Sequence, residues 1–138
     1  MMTLHEVSLS RTDAEALGRM LDAHRRGLSE SDPAEALAEL LSHASRVPDG
    51  ELPVDRIAMG STVTYVEEPS GLRRTVTLAY PAEADLRLGK ISVLSPIGRA
   101  LIGRKRGETV DAALPGDRWL EIRVVATEPG REPLRKAA

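Results

Sequence analysis

The chain contains no cysteine and no phenylalanine, and only one tryptophan and two tyrosines among its 138 residues. Without cysteine there is no disulfide framework and no thiolate metal site. Without phenylalanine a core must be filled by Leu, Val, Ile and Ala. So few aromatic rings also leave little to stack on bases or to line a ligand cleft. No run of uncharged apolar residues approaches the length needed to span a bilayer, and Met1–Ser10 lacks a secretory signal pattern, so a cytoplasmic location is expected. Neither sign of charge dominates: 19 Lys and Arg stand against 21 Asp and Glu. That balance argues against capture of nucleic acid by general electrostatic attraction, and no direct sequence-specific binding of it is expected.

Signatures of chemistry are equally scarce. There is no Gly-rich phosphate loop, and no Ser-His-Asp order with a nucleophile elbow. The three histidines, His5, His24 and His43, are not spaced three or four apart as ligands on one helix face would be. The sequence therefore predicts no catalytic residue, no metal, no cofactor, and a monomer.

What is present divides near Pro48-Asp-Gly-Glu-Leu-Pro53. Before that stretch the pattern is helical. Ser10 or Thr12 can open a first helix, with Leu9 stapling onto Ala14 in the former case and Glu15 completing a capping box in the latter. Leu17, Met20, Leu21 and His24 recur at helical spacing, and Gly27 suits the stop. Asp32, Pro33 and Glu35 have the chemistry of a second helix start. Leu37, Leu40, Leu41 and Ala44 form its apolar stripe. Two short amphipathic helices joined by a turn predict an antiparallel hairpin over residues 1–50. Each helix has about 14 residues, or roughly 21 Å of rise.

After Pro53 the pattern changes to strands. Ser61–Glu67 and Leu72–Tyr80 flank a hairpin loop at Glu68–Gly71, and Ile91–Leu94 is a short strand. Ser95-Pro96 opens a short helix that stops at Gly103. Glu108–Ala112 and Trp119–Thr127 are joined through Pro115-Gly116-Asp117. In the last strand Leu120, Ile122, Val124 and Ala126 alternate with Trp119, Glu121, Arg123 and Val125, which predicts a half-buried strand. Trp119 reads as a sheet or core residue rather than a ligand contact. Five strands and one packed helix predict an α+β unit, mostly antiparallel, over 51–127. Residues 128–138 read as a frayed tail.

Two charged groups stand out. Arg99, Arg104, Lys105 and Arg106 fall within eight positions; a cluster of this kind is usually a solvated face, with electrostatic contact to an acidic partner as the alternative. Glu30, Asp32 and Glu35 lie at the hairpin turn. Carboxylates there suit Mg²⁺, but helix-start chemistry requires the same residue types and explains them without metal.

Three stretches carry a family likeness: Arg74-Thr-Val-Thr-Leu-Ala-Tyr-Pro-Ala-Glu-Ala-Asp85, Lys90-Ile-Ser-Val-Leu-Ser-Pro-Ile-Gly-Arg-Ala-Leu-Ile-Gly103 and Gly107-Glu-Thr-Val110. Over this region the chain resembles the C-terminal domain of the Gre transcription factor and nucleoside diphosphate kinase regulator (Rnk) family. The resemblance implies an FKBP-like β-domain preceded by a helical hairpin, with RNA polymerase as partner. It implies that Ser95, Pro96 and Ile97 face the polymerase, with Arg99, Arg104 and Lys105 as candidate rim contacts. Cleavage-stimulating members carry a long coiled coil with acidic residues at its tip; the short hairpin here looks Rnk-like. The expectation is a non-enzymatic regulator docked near the secondary channel that does not stimulate transcript cleavage. The alternatives are a cleavage-stimulating elongation factor using Glu30, Asp32 and Glu35, or a regulator of nucleoside diphosphate kinase. An FKBP-like fold also raises a peptidyl-prolyl isomerase, for which Tyr65, Tyr80 and Trp119 supply too few aromatics.

Overall fold

Ser10 sets the start of the first helix. In the computed structural model, which describes residues 7–24 and 33–130, the Asp13 N–H donates to Ser10 Oγ at 3.1 Å. Ser10 is thus the cap, and α1 runs Arg11–His24. Thr12 is engaged elsewhere: its N–H donates to Asp49 Oδ1 at 3.0 Å and its hydroxyl to Asp49 Oδ2. A carboxylate from a distant loop therefore sits at the positive end of α1. The second helix, α2 (Pro33–Ser42), buries Ala34, Leu37 and Leu41 in a cluster that includes Ala14, Leu17 and Leu21 of α1. The turn between the helices lies outside the described residues, with Gly27, Glu30 and Asp32 in it. So do His5 and the side chain of His24.

α2 ends two residues short of Ala44 because the chain after it is recruited as a strand. β1 (Ser8–Ser10) and β2 (Ser45–Val47) form a parallel pair with Ser8 opposite Ser45. The Ser45 N–H donates to the Val7 carbonyl at 2.8 Å. Neither strand is anticipated from sequence, since three residues are too few to show an alternation.

The five expected strands are all found, with ends moved by one or two residues: β3 (Thr62–Glu68), β4 (Leu72–Ala79), β5 (Lys90–Ser92), β6 (Thr109–Leu114) and β7 (Arg118–Glu128). They form one sheet in the order β5-β4-β3-β7-β6, so the α+β class holds. Three details differ from the sequence expectation. First, β5 runs parallel to β4, with Lys90 opposite Thr77. Between them the chain makes two 3-10 turns, Pro81–Glu83 and Leu86–Leu88, passes back along the sheet edge and re-enters in the same direction. Second, a register shift lies opposite Thr64 and Tyr65, which pair with Ala126 and Val124. The extra residue, Val125, reverses the facing beyond it, so Ile122 and Val124 are buried as expected but Ala126 is exposed. Third, residues 128–130 are not frayed. Glu128 pairs with Thr62, and a Cβ on Gly130 would lie 2.7 Å from the Gly60 carbonyl oxygen. Residues 131–138 of the expected tail lie outside the described residues.

A short helix, α3 (Pro96–Leu101), packs on β5 and β6. One core links all these parts: Leu9, Leu17 and Leu37 belong to the same fully buried cluster as Ile57, Leu78, Leu101, Ile102 and Ile122. Trp119, by contrast, is 67% exposed on β7, so it is a sheet residue and not a core one.

The junction between α1 and the sheet is polar. Asp13 Oδ2 accepts the Met59 N–H at 3.0 Å. Burial raises the Asp13 pKa and Asp49 adds repulsion, against the opposing pull of the Met59 N–H. Tyr80, half-buried nearby, is pushed up to about 12, chiefly by burial and then by Asp13. A carboxyl whose folded pKa is raised disfavours the fold when ionised. Its unfavourable contribution therefore fades as pH falls through the folded pKa towards the ordinary carboxylate value. Asp13→Asn keeps an acceptor for Met59 but cannot ionise. We expect it to melt at or above the wild-type temperature at neutral pH, and the difference to close on acidification. A pH series of melting curves checks this; a variant that melts lower at neutral pH would contradict it.

Candidate docking surface

The turn that leads into α3 is locked by its own serines. Ser95 Oγ accepts the Gly98 N–H at 3.1 Å and donates to the Ser92 carbonyl at 2.7 Å. Ser92 Oγ in turn accepts the Leu94 N–H at 2.9 Å. Pro96 occupies the first helical position, where its missing N–H costs nothing and its φ is already helical. Gly98 is buried against β5. A Cβ there would meet the Ser92 carbonyl oxygen at 2.1 Å, so the helix approaches the strand more closely than any side chain allows. The product is a rigid half-buried shoulder of Leu94, Pro96 and Ile97, with Leu94 and Ile97 packed on the core beneath.

The cations expected to rim this shoulder divide into two kinds. Arg99 folds back on it: its Nη1 donates to the Leu94 carbonyl at 2.5 Å, and burial pulls its pKa down. Arg104 lies past the end of α3 and is built into the fold, 3.6 Å from a buried Glu108. Glu108 Oε1 also accepts the Lys105 N–H at 2.8 Å, which closes the turn before β6. Lys105 and Arg106 are exposed. Ser95, Pro96, Ile97 and Arg99 thus come together. Arg104 and Lys105 follow beyond the other end of a six-residue helix, about 9 Å further on.

Of the acidic residues at the hairpin turn, Glu35 lies in the first turn of α2; Glu30 and Asp32 lie outside the described residues. Among the described residues no group of three or more His, Cys, Asp or Glu is placed to hold a metal ion. The remaining histidine, His43, is exposed and lies 3.9 Å from Glu39. No helix of the described residues is long and apolar enough to cross a membrane.

Two surface residues escape sequence reading. Leu86 is 82% exposed and Leu88 66% exposed, at the two ends of the second 3-10 turn. Their spacing of two resembles a strand alternation with one buried face, and nothing in composition distinguishes a solvated leucine from a core one.

Residues 52–129 match the family described as transcription elongation factor GreA/GreB, C-terminal. The chain is similar to the transcription elongation factor GreA of Rhodospirillum rubrum, with 37% identity over 90 residues covering 64% of this chain and 57% of that protein. It is also similar to the GreA of Azorhizobium caulinodans, with 38% identity over 98 residues covering 70% of this chain and 62% of that one. This chain therefore spans less than two thirds of the length of either relative. Among solved structures, a prokaryotic transcription elongation factor GreA/GreB from Nitrosomonas europaea superposes with a TM-score of 0.69 at 31% identity, covering 89% of this chain and 98% of that one.

Proposed function

The chain belongs to the GreA/GreB family of transcription elongation factors, and we propose that it regulates transcription by docking on RNA polymerase without supplying any catalytic residue of its own. In this reading the unit 51–127 is an FKBP-like domain whose Leu94–Ile97 shoulder meets the polymerase near the secondary channel, and the module 1–50 is a short hairpin at the channel mouth. It works as a cytoplasmic monomer with no direct contact to specific nucleic acid sequences.

The observation that supports a non-cleaving role is the length of the arm. Among the described residues α1 has 14 residues and α2 has 10, or about 21 Å and 15 Å of helical rise. An arm that short, Rnk-like in its proportions, occupies the entrance without carrying carboxylates to a distant metal site. A second reading has its own support. The relatives are described as elongation factors, which favours active cleavage stimulation through Glu30, Asp32 and Glu35 over a purely passive occupant. Among the described residues no structural feature favours an effect on nucleoside diphosphate kinase.

One assay separates the two readings. We expect the protein to bind core polymerase and to compete with a long-armed Gre factor, yet to leave the rate of RNA shortening in a backtracked complex unchanged. A time course of labelled transcript with the protein in excess, with and without Mg²⁺, checks this. Faster shortening that Asp32→Ala with Glu35→Ala abolishes, while binding persists, would establish the cleavage-stimulating reading instead.

A further inference from the structure

Leu86 and Leu88 are solvated on a turn that is already rigid. The Asp85 N–H donates to the Lys90 carbonyl at 2.9 Å and the Lys90 N–H returns to the Asp85 carbonyl at 3.0 Å, which closes the loop. Inside it the Leu88 N–H donates to the Asp85 carbonyl at 3.0 Å and the Gly89 N–H to the Leu86 carbonyl at 3.1 Å. The Arg87 N–H is held by Asp85 Oδ1 at 3.0 Å, and the Thr77 N–H ties the loop to β4 through the Gly89 carbonyl at 2.8 Å. Gly89, at φ +73°, allows the exit that a side chain would strain. These bonds use no leucine side chain, and neither leucine belongs to the core.

The loop is also continuous with the proposed docking shoulder. It enters β5 directly, and β5 spans only Lys90–Ser92 before the turn at Leu94 and Ser95, a distance of about 10 Å. β5 is one of the two edge strands of the sheet. Loop, strand edge and shoulder therefore line one side of the molecule, within the footprint of a single protein interface. Between the leucines Arg87 forms an ion pair with Asp85, at 3.3 Å, in which the arginine is the outer partner, 88% exposed against 29% for the aspartate.

We infer that the Leu86–Leu88 loop is a second anchor of the polymerase contact, with both leucines entering an apolar patch on RNA polymerase that carries a carboxylate at its rim for Arg87. The inference rests on the polymerase reading above and deepens it. A loop ordered before binding loses little conformational freedom on docking, and two exposed leucines bring apolar area that the free fold leaves in water.

The test compares core polymerase binding by the wild-type chain and by a Leu86→Ser, Leu88→Ser variant, with melting curves and sedimentation of each free protein. We expect an unchanged melting temperature, no change in oligomeric state, and binding weaker by about tenfold or more, the loss typical of a truncated anchor. Arg87→Gln, which leaves both leucines, should weaken binding less, and the difference from wild type should shrink at high salt. Failure of the wild-type chain to bind polymerase removes the polymerase reading, and this inference with it. Wild-type binding that the double variant retains within about twofold overturns the second anchor alone. A wild-type dimer that the serine variant dissolves assigns the leucines to self-association and likewise overturns it. If the double variant melts early, Leu88→Ser alone takes its place under the same criteria.

Discussion

Replacing Gly98 with alanine will lower the melting temperature by about 10 °C, corresponding to a loss of about 3 kcal/mol in a chain of this size. Helix propensity predicts the opposite, since alanine is favoured over glycine in a helix interior by about 1 kcal/mol. The tertiary contact decides the sign. The added Cβ would lie 2.1 Å from the Ser92 carbonyl oxygen, 2.9 Å from the Val93 Cα and 3.0 Å from the Ser92 carbonyl carbon. All three are backbone atoms of the edge strand and the turn after it, so no side chain can swing aside. To admit the methyl, α3 must lift from β5 and break its packing on β6 as well. Thermal denaturation followed by circular dichroism measures the effect. Gly18→Ala in α1 is the matched control, because a Cβ there meets nothing within 4 Å. It should melt at or above the wild-type temperature. A Gly98→Ala protein as stable as wild type would mean that the close approach of helix to strand is not maintained in solution.

Replacing Pro96 with aspartate will weaken polymerase binding by about thirtyfold or more while the fold stays intact, if the Leu94–Ile97 shoulder is the central contact. The position is chosen for its separation of binding from folding. Ile97 is half-buried and packs on the core, so a charge there would disturb the domain as well as the contact. Pro96 is the first residue of α3. An aspartate at that first helical position suits the positive end of the helix dipole, and Ser95 still caps through Gly98. The variant therefore carries a desolvated charge into an apolar contact at little cost to the helix. Binding to immobilised core polymerase, paired with a melting curve, reads both halves. Wild-type affinity in a well-folded variant would remove the shoulder from the interface.

Much of this architecture is legible in the chain because it depends on neighbours in sequence. Ser95 and Pro96 mark the cap and first turn of α3, and each acts through atoms only a few residues away. The hairpin of β3 and β4 is likewise written in its loop at Glu68–Gly71, where the Gly71 N–H donates back to the Glu67 carbonyl at 2.7 Å. The family likeness lies in this same stretch, where local rules and close packing both constrain residue type.

Other features depended on segments far apart in sequence and could not be read from periodicity. Thr12 has the form of a cap, yet Asp49, 37 residues away, takes its donors. Arg99 and Arg104 read as surface cations. The Leu94 carbonyl, five residues before Arg99, and the Glu108 carboxylate, four after Arg104, commit both to the fold and leave Lys105 and Arg106 exposed; here the partners are near in sequence, but no periodicity marks them. The reversed facing of Ala126 follows from one extra residue, Val125, opposite β3, and a bulge is defined only by its partner strand. The sequence by itself determined the strands of the sheet, the helices and the docking turn, because hydrogen bonds and apolar stripes of short range specify them. Tertiary structure alone decided which charges remain free, which way β5 runs and which leucines stay in water. Those outcomes depend on what distant residues bring to the same place, and burial is a property of the assembled surface.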